Sequence, residues 1–264
     1  MTPILMLGCG RMGGAMVEGW LKAGAFQGSD LMIRDPQPGP AALAAEAAGA
    51  RLNPPEADLA RANTVVLAVK PQLWRDAAAE AAPWLSSSAV VVSIAAGVGS
   101  RDIAQEFGGR CVARVMPTTA AAIGQGTASL YADDPAALAR AHALFEPLGA
   151  VVDLNDERLM HAATAVSGSA PAYLYAFIEA LEAAGVSAGL SAKEAARLAR
   201  STLTGAAALL AQGAEAPAEL RRQVTSPGGT TQAALNVLMG EGGLEPLLQD
   251  AVAAAVRRSK ELGG

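Results

Sequence analysis

The stretch ILMLGCGRMGGAM, Ile4 to Met16, decides the fold, because an apolar run passes without a break into glycines and then into a helix-forming segment. Gly8, Gly10 and Gly13 fall in the pattern G-x-G-x-x-G directly after a strand and before a helix. In that context the first glycine makes a tight turn, the second lets the backbone approach a pyrophosphate, and the third lets helix and strand pack closely. The free N–H groups of the helix start then face the phosphates. The motif is weak alone. Its position at the end of the first strand of a strand-helix alternation makes dinucleotide binding the expectation.

That alternation continues through DLMIR, TVVLAV, AVVVSIAAG and RCVARVM, separated by helical segments such as Ala41–Ala48 and Arg75–Leu85. GTASLYA and AVVDL add two later strands, and PAALARAHALFEPLG reads as a helix between them. Repeated βαβ units imply an α/β fold with a doubly wound parallel sheet covered on both faces. After about Asp156 the period changes to long helical stretches: Arg158 to Ala184, Ser191 to Gln212, Ala216 to Val224, Thr230 to Met239 and Leu244 to Leu262. The expected division is a dinucleotide-binding domain over 1–155 and a helical domain over 156–264, consistent with about 150 residues per domain.

Composition narrows the function. Asp and Glu number 25 against 20 Lys and Arg, a net charge of −5, whereas phosphate neutralisation on nucleic acid needs clustered bases. No nucleic-acid partner is expected. Cys9 and Cys111 are the only cysteines and form no CxxC pair, so neither a disulfide framework nor a zinc site is legible. The long apolar windows are broken by Gly, Pro, Ser or charge, so no membrane segment is read. A cytoplasmic protein working on a small molecule is the expectation.

The second strand ends in Arg34 and Asp35, the latter about 20 residues beyond the last motif glycine, where an acidic residue takes the ribose hydroxyls of NAD. Arg34 could instead meet a 2′-phosphate, so NADH and NADPH both stay open. AVKPQ, from Ala68 to Gln72, and SIAAG, from Ser93 to Gly97, end two further strands, whose C-termini line the ligand crevice of such sheets. Lys70 either positions a ligand or is a solvated strand end. His142 and His161 have no metal-ligand spacing, and no metal is expected. Ser167 and Ser169 lack a legible His and Asp for a triad, while Tyr173, Tyr175 and Phe177 read as core. In the helical half, Thr164, SGSAPAY at 167–173 and SPGGTT at 226–231 interrupt helical sequence; Pro171 predicts a kink.

The set GCGRMG, AVKPQ, SIAAGV, RVMPTT, AVSGSAPAY and SPGGTT, in this order, resembles pyrroline-5-carboxylate reductase over essentially the whole chain. The resemblance implies NADPH- or NADH-dependent reduction of 1-pyrroline-5-carboxylate to L-proline, the last step of proline biosynthesis. It also implies a Rossmann-type domain followed by an all-helical dimerisation domain, in a homodimer or a larger homo-oligomer built from dimers. Carried over by motif, Leu7, Gly8, Cys9, Gly10, Arg11 and Met12 touch the pyrophosphate, with Gly13 completing the loop. Arg34 and Asp35 select at the ribose, and Ala68, Val69, Lys70 and Pro71 with Ala95, Ala96 and Gly97 line the nicotinamide side. Thr164 matches the family threonine near the ring nitrogen, and Ser226, Gly228, Gly229, Thr230 and Thr231 match the substrate carboxylate site. Two departures stand out: Thr118 where the family commonly has Asn, and Ala120 where it has Pro. Asp35 stands where Ser or Thr is common in members that use NADPH.

Two rivals share the architecture. A β-hydroxyacid dehydrogenase would use a helix-borne lysine, but Lys193 in GLSAKEA lacks the surrounding glycine and asparagine pattern. A redox-sensing protein that holds NAD(P) without turnover would not need SPGGTT as a second ligand site.

Overall fold

The computed structural model describes residues 1–213 and 215–262. Its first strand, β1 (Ile4–Leu7), is buried along its whole length, as a strand covered on both faces must be. It leads into α1 (Arg11–Ala23), whose Met16, Val17 and Trp20 are inaccessible to solvent. The indole of Trp20 would be costly to bury without a partner; its Nε1–H donates to the Leu144 carbonyl at 2.6 Å. Then follow β2 (Leu31–Arg34), α2 (Pro40–Ala47), the two-residue β3 (Arg51–Leu52), α3 (Glu56–Leu59), β4 (Thr64–Leu67), α4 (Trp74–Ala81), β5 (Val90–Ser93), α5 (Ser100–Glu106) and β6 (Val112–Pro117). The sheet closes with β7 (Gly126–Tyr131), α6 (Pro135–Phe145) and β8 (Gly149–Asp153).

The eight strands lie in the order β3-β2-β1-β4-β5-β6-β7-β8. Pairing is parallel except between β6 and β7, joined by a short 3₁₀ connection over Thr119–Ile123 rather than a crossover helix. The order reverses between β1 and β4, which is the switch point where ligands bind in doubly wound sheets. Two apolar clusters cover the faces, one built on Ile4, Met16, Trp20 and Phe145, the other on Leu5, Leu67, Trp74, Ile103 and Phe107.

By contact density the chain forms two compact units, Met1–Gly168 with the C-terminal end from Ala254, and Ser169–Ala253. Glu157 ties the first unit together beyond the last strand: its carboxylate accepts from Ser100 N–H at 2.6 Å, Ser100 Oγ–H at 2.9 Å and the buried Arg114 guanidinium at 3.0 Å. The continuous helix expected from Arg158 to Ala184 is instead broken. A 3₁₀ turn (Glu157–Leu159) leads to α7 (Met160–Ala163), then a π-turn over Thr164–Gly168, then α8 (Ala170–Ser187). Pro171 sits in the first turn of α8, where its missing N–H is harmless, so it starts a new helix rather than kinking one.

The second unit continues with α9 (Ala192–Gln212), α10 (Pro217–Gln223), α11 (Thr230–Leu238) and α12 (Leu244–Glu261), whose last turns belong to the first unit. Ser191 opens α9 by a capping box with Glu194. Tyr175 and Phe177, expected in a core, are exposed, at 68% and 43%, and Leu174, Leu198, Leu209 and Val237 are exposed with them. The apolar periodicity was legible, but a single chain leaves this surface uncovered. Among the described residues no helix is long and apolar enough to cross a membrane, and no group of three or more His, Cys, Asp or Glu could hold a metal ion.

Candidate active site

The glycine loop has a distinct physical reason for each of its three glycines. Gly8 takes φ of +87°, and a Cβ there would meet Val69 Cγ1 at 2.9 Å. A Cβ on Gly13 would lie 2.6 Å from the Gly8 carbonyl oxygen and 3.0 Å from Met6 Sδ, so this glycine is needed for helix and strand to pack. Gly10 is different. It has an ordinary extended φ of −71°, and a Cβ there would meet nothing within 4 Å. No contact within the protein requires Gly10 to lack a side chain, and the space beside its backbone is what a pyrophosphate needs. The residues present therefore fit a dinucleotide. Helix α1 begins at Arg11 without a side-chain cap, leaving its first N–H groups for an anion.

Next to the loop, β2 ends beside β1, with Gly8 N–H bonded to Arg34 C=O at 2.8 Å. The Asp35 carboxylate accepts from Cys9 N–H at 2.6 Å and from Gln37 N–H at 2.8 Å. Asn53, beyond β3, was not anticipated from sequence. Its side-chain amide bonds the Asp35 N–H and C=O at 2.9 and 3.0 Å, and it adopts a positive φ of 47° that asparagine tolerates better than most residues. The two prolines after Asn53, Pro54 and Pro55, were the available signal. These groups, with Leu7, Pro36, Val69, Leu73 and Ala77, wall a cleft of about 450 Å³. Burial and the Asp35 carboxylate push the Cys9 thiol up to about 11, so it is not a nucleophile at neutral pH.

The Ala68 and Ile94 N–H groups complete the adjacent ladders, to Leu7 and Leu67 carbonyls, so the segments Ala68–Pro71 and Ala95–Gly97 emerge side by side at the C-terminal sheet edge. Ala95 is buried, Ala68, Val69, Ala96 and Gly97 are half-buried, and Lys70 is exposed at the start of a 3₁₀ turn over Pro71–Leu73. Thr118, the departure from the family's Asn, is buried and accepts the Thr127 N–H on Oγ1 at 3.0 Å, securing the β6–β7 connection.

The π-turn packs against β6 and β7 in the same unit, with Gly168 against Met116. Thr164 opens this turn. Its Oγ1–H donates to the Met160 carbonyl at 2.7 Å. A hydroxyl has one proton, so what Thr164 has left for a ligand is lone pairs. His161, just before it, shares a hydrogen bond of 3.0 Å with Ser259 Oγ and titrates low through burial, then through Arg114 and Lys260. His142 bridges Glu146 and Asp153.

In the second unit, SPGGTT forms a turn before α11. The Ser226 carbonyl accepts Gly229 N–H at 3.0 Å. Pro227 followed by Gly228 at φ of +70° is the arrangement of a type II turn, in which only the third residue needs positive φ. Gly229 is the residue before the helix, and the first helical bond there is Ala233 N–H to Gly229 C=O. The N–H groups of Thr230, Thr231 and Gln232 thus precede the ladder, in the field of the helix start. Lys193 is exposed on α9.

A family model described as "Pyrroline-5-carboxylate reductase dimerisation" matches residues 157–262, and one described as "NADP oxidoreductase coenzyme F420-dependent" matches residues 3–97. A pyrroline-5-carboxylate reductase of Pisum sativum is 36% identical over 97% of this chain and 94% of its own length. The one of Pseudomonas aeruginosa is 38% identical over 99% and 97%. Among solved structures, a pyrroline-5-carboxylate reductase from Coxiella burnetii superposes with a TM-score of 0.91 at 30% identity, over 100% of this chain and 99% of that one. A Plasmodium falciparum pyrroline carboxylate reductase with NADP bound gives 0.86 at 26%, over 100% and 98%. The chain belongs to the pyrroline-5-carboxylate reductase family.

Proposed function

We propose that the protein reduces 1-pyrroline-5-carboxylate to L-proline with a reduced nicotinamide dinucleotide. The observation that carries this reading is whole-chain kinship to pyrroline-5-carboxylate reductases joined to a glycine loop whose open side, at Gly10, fits a pyrophosphate. When bound, the cofactor supplies a hydride to the imine carbon. Leu7, Gly8, Cys9, Gly10, Arg11, Met12 and Gly13 hold its phosphates, Arg34 and Asp35 its ribose, and Ala68–Pro71 with Ala95–Gly97 its nicotinamide side.

Thr164 is assigned the imine nitrogen. Because its proton goes to the Met160 carbonyl, the hydroxyl oxygen accepts from a protonated imine rather than donating to a neutral one. Holding the N–H⁺ form keeps the carbon electrophilic, and the proton itself comes from solvent. The remaining acceleration comes from holding donor and acceptor carbons within reacting distance. Ser226, Gly228, Gly229, Thr230 and Thr231 are assigned the carboxylate, supported by the free N–H groups at the start of α11.

The assembly is a homodimer or a larger homo-oligomer built from dimers. The match to a dimerisation model over 157–262 and the exposed Tyr175, Phe177 and Leu174 support this. A cytoplasmic location is supported by two cysteines that are both free. The test follows reduced-nicotinamide absorbance with 1-pyrroline-5-carboxylate and assays proline. Consumption with stoichiometric proline is expected, and no consumption with either dinucleotide rejects the reading.

A further inference from the structure

The cleft beside the glycine loop carries more than a generic ribose site. Three carboxylates, Asp35, Asp76 and Glu80, line it against one guanidinium, Arg34. Asp35 is the fixed member. Asn53 clamps its backbone on both sides, Cys9 N–H holds Oδ2 and Gln37 N–H holds Oδ1. An ionised carboxylate has about four lone-pair sites, so each oxygen keeps acceptor capacity after these bonds. What it can take is a hydroxyl donor.

The two dinucleotides differ at one place. NADH has a 2′-hydroxyl, a donor; NADPH has a 2′-phosphate, acceptor-rich and carrying a charge of about −1.5 to −2. For the Asp35 carboxylate to swing away, the bonds from Cys9 N–H and Gln37 N–H would both be lost, while Asn53 holds the backbone that carries it. We propose that Asp35, positioned by Asn53 within this acidic cleft, makes the enzyme select NADH over NADPH. The proposal rests on the reductase reading for its reaction but concerns binding at the adenosine end, away from hydride transfer.

The test is the affinity of the intact protein for each reduced dinucleotide, without substrate, from the change in nicotinamide fluorescence on binding. Like charges about 4 Å apart even in water-like surroundings predict NADH tighter by about tenfold. Equal binding, or tighter NADPH, overturns the proposal. Asp35→Ser, which offers a phosphate a donor and removes the charge, is expected to shift the NADPH-to-NADH affinity ratio toward NADPH by at least about tenfold. An unchanged ratio also overturns it. Asn53→Ala is expected to shift the ratio the same way by a smaller factor, which a merely structural asparagine would not do. Competition by 5′-AMP against 2′,5′-ADP needs no variant and no nicotinamide: 5′-AMP is expected to bind tighter, and the reverse order refutes the assignment. If the reductase reading failed instead, these ratios would stand while neither dinucleotide was consumed with 1-pyrroline-5-carboxylate.

Discussion

Gly10→Ala separates the fold from the function more sharply than any other substitution in the glycine loop. Its added Cβ meets nothing within 4 Å, and φ of −71° is accessible to alanine. Removing a glycine from the unfolded ensemble stabilises by about 0.4–1 kcal/mol. Alanine is a poorer residue than glycine at a helix N-cap, a loss on the order of 0.5–1 kcal/mol. The two offset, so net stability should change by less than about 1 kcal/mol, and for a chain of this size the melting temperature by less than about 4 °C. Binding should respond differently. If the methyl displaces a phosphate oxygen from one backbone N–H, a charge-assisted bond of about 1.5–3 kcal/mol is lost, or about 10- to 150-fold in dissociation constant. Fluorescence titration with reduced dinucleotide and thermal melting of the same sample measure both. The reasoning is refuted if the variant binds as tightly as the wild type, or if it melts far below it. Gly13→Ala is the control: its Cβ would stand 2.6 Å from the Gly8 carbonyl, so both stability and binding should fall, the first by about 1–3 kcal/mol.

Three further outcomes follow from the same geometry. Thr164→Val, which keeps the shape and removes the hydroxyl, should lower kcat by about tenfold or more with dinucleotide affinity unchanged, while Thr164→Ser retains most activity; near-wild-type rates for Val would remove Thr164 from the nitrogen. Gly229→Val places side-chain atoms where a Cβ already lies 3.1 Å from the Ser226 carbonyl, so KM for the imine should rise by about tenfold or more while dinucleotide binding holds; parallel loss of both would make the turn purely structural. The two histidines should show opposite pH signatures. His161 titrates low, so its contribution is full above about pH 6.5 and lost as pH falls through its folded pKa; His161→Gln should flatten the acid-side loss of melting temperature. His142 is held high, first by Glu146, so its contribution is present below about pH 6.5 and lost as pH rises; His142→Gln should destabilise more at pH 6 than at pH 9.

Much of the first unit was legible because its signals are local. Buried parallel strands read as unbroken apolar runs, and the glycine spacing follows from the contacts one turn must make. The short β3 and its Asn53 were not legible, since two residues of strand leave no periodicity and the clamp joins positions distant in sequence. The break at Thr164–Gly168 was legible only in part: SGSAP marks an interruption, but the threonine, alanine and valine ahead of it are tolerated in an α-helix, so the π-turn itself does not show in the composition. At SPGGTT the Pro-Gly pair is itself the signature of a type II turn, whereas the helix start at Gly229 is set by backbone angles that the residue types leave open. In the second unit the apolar pattern marked real helices but not what would cover Tyr175 and Phe177.

The central claim is hydride transfer to the imine carbon, and isotope transfer tests it most directly. Dinucleotide carrying deuterium at its transferring position is incubated with the protein and 1-pyrroline-5-carboxylate, and the proline is analysed by mass and by NMR. The account predicts proline with one deuterium on the former imine carbon. Unlabelled proline, or label at any other carbon, contradicts it.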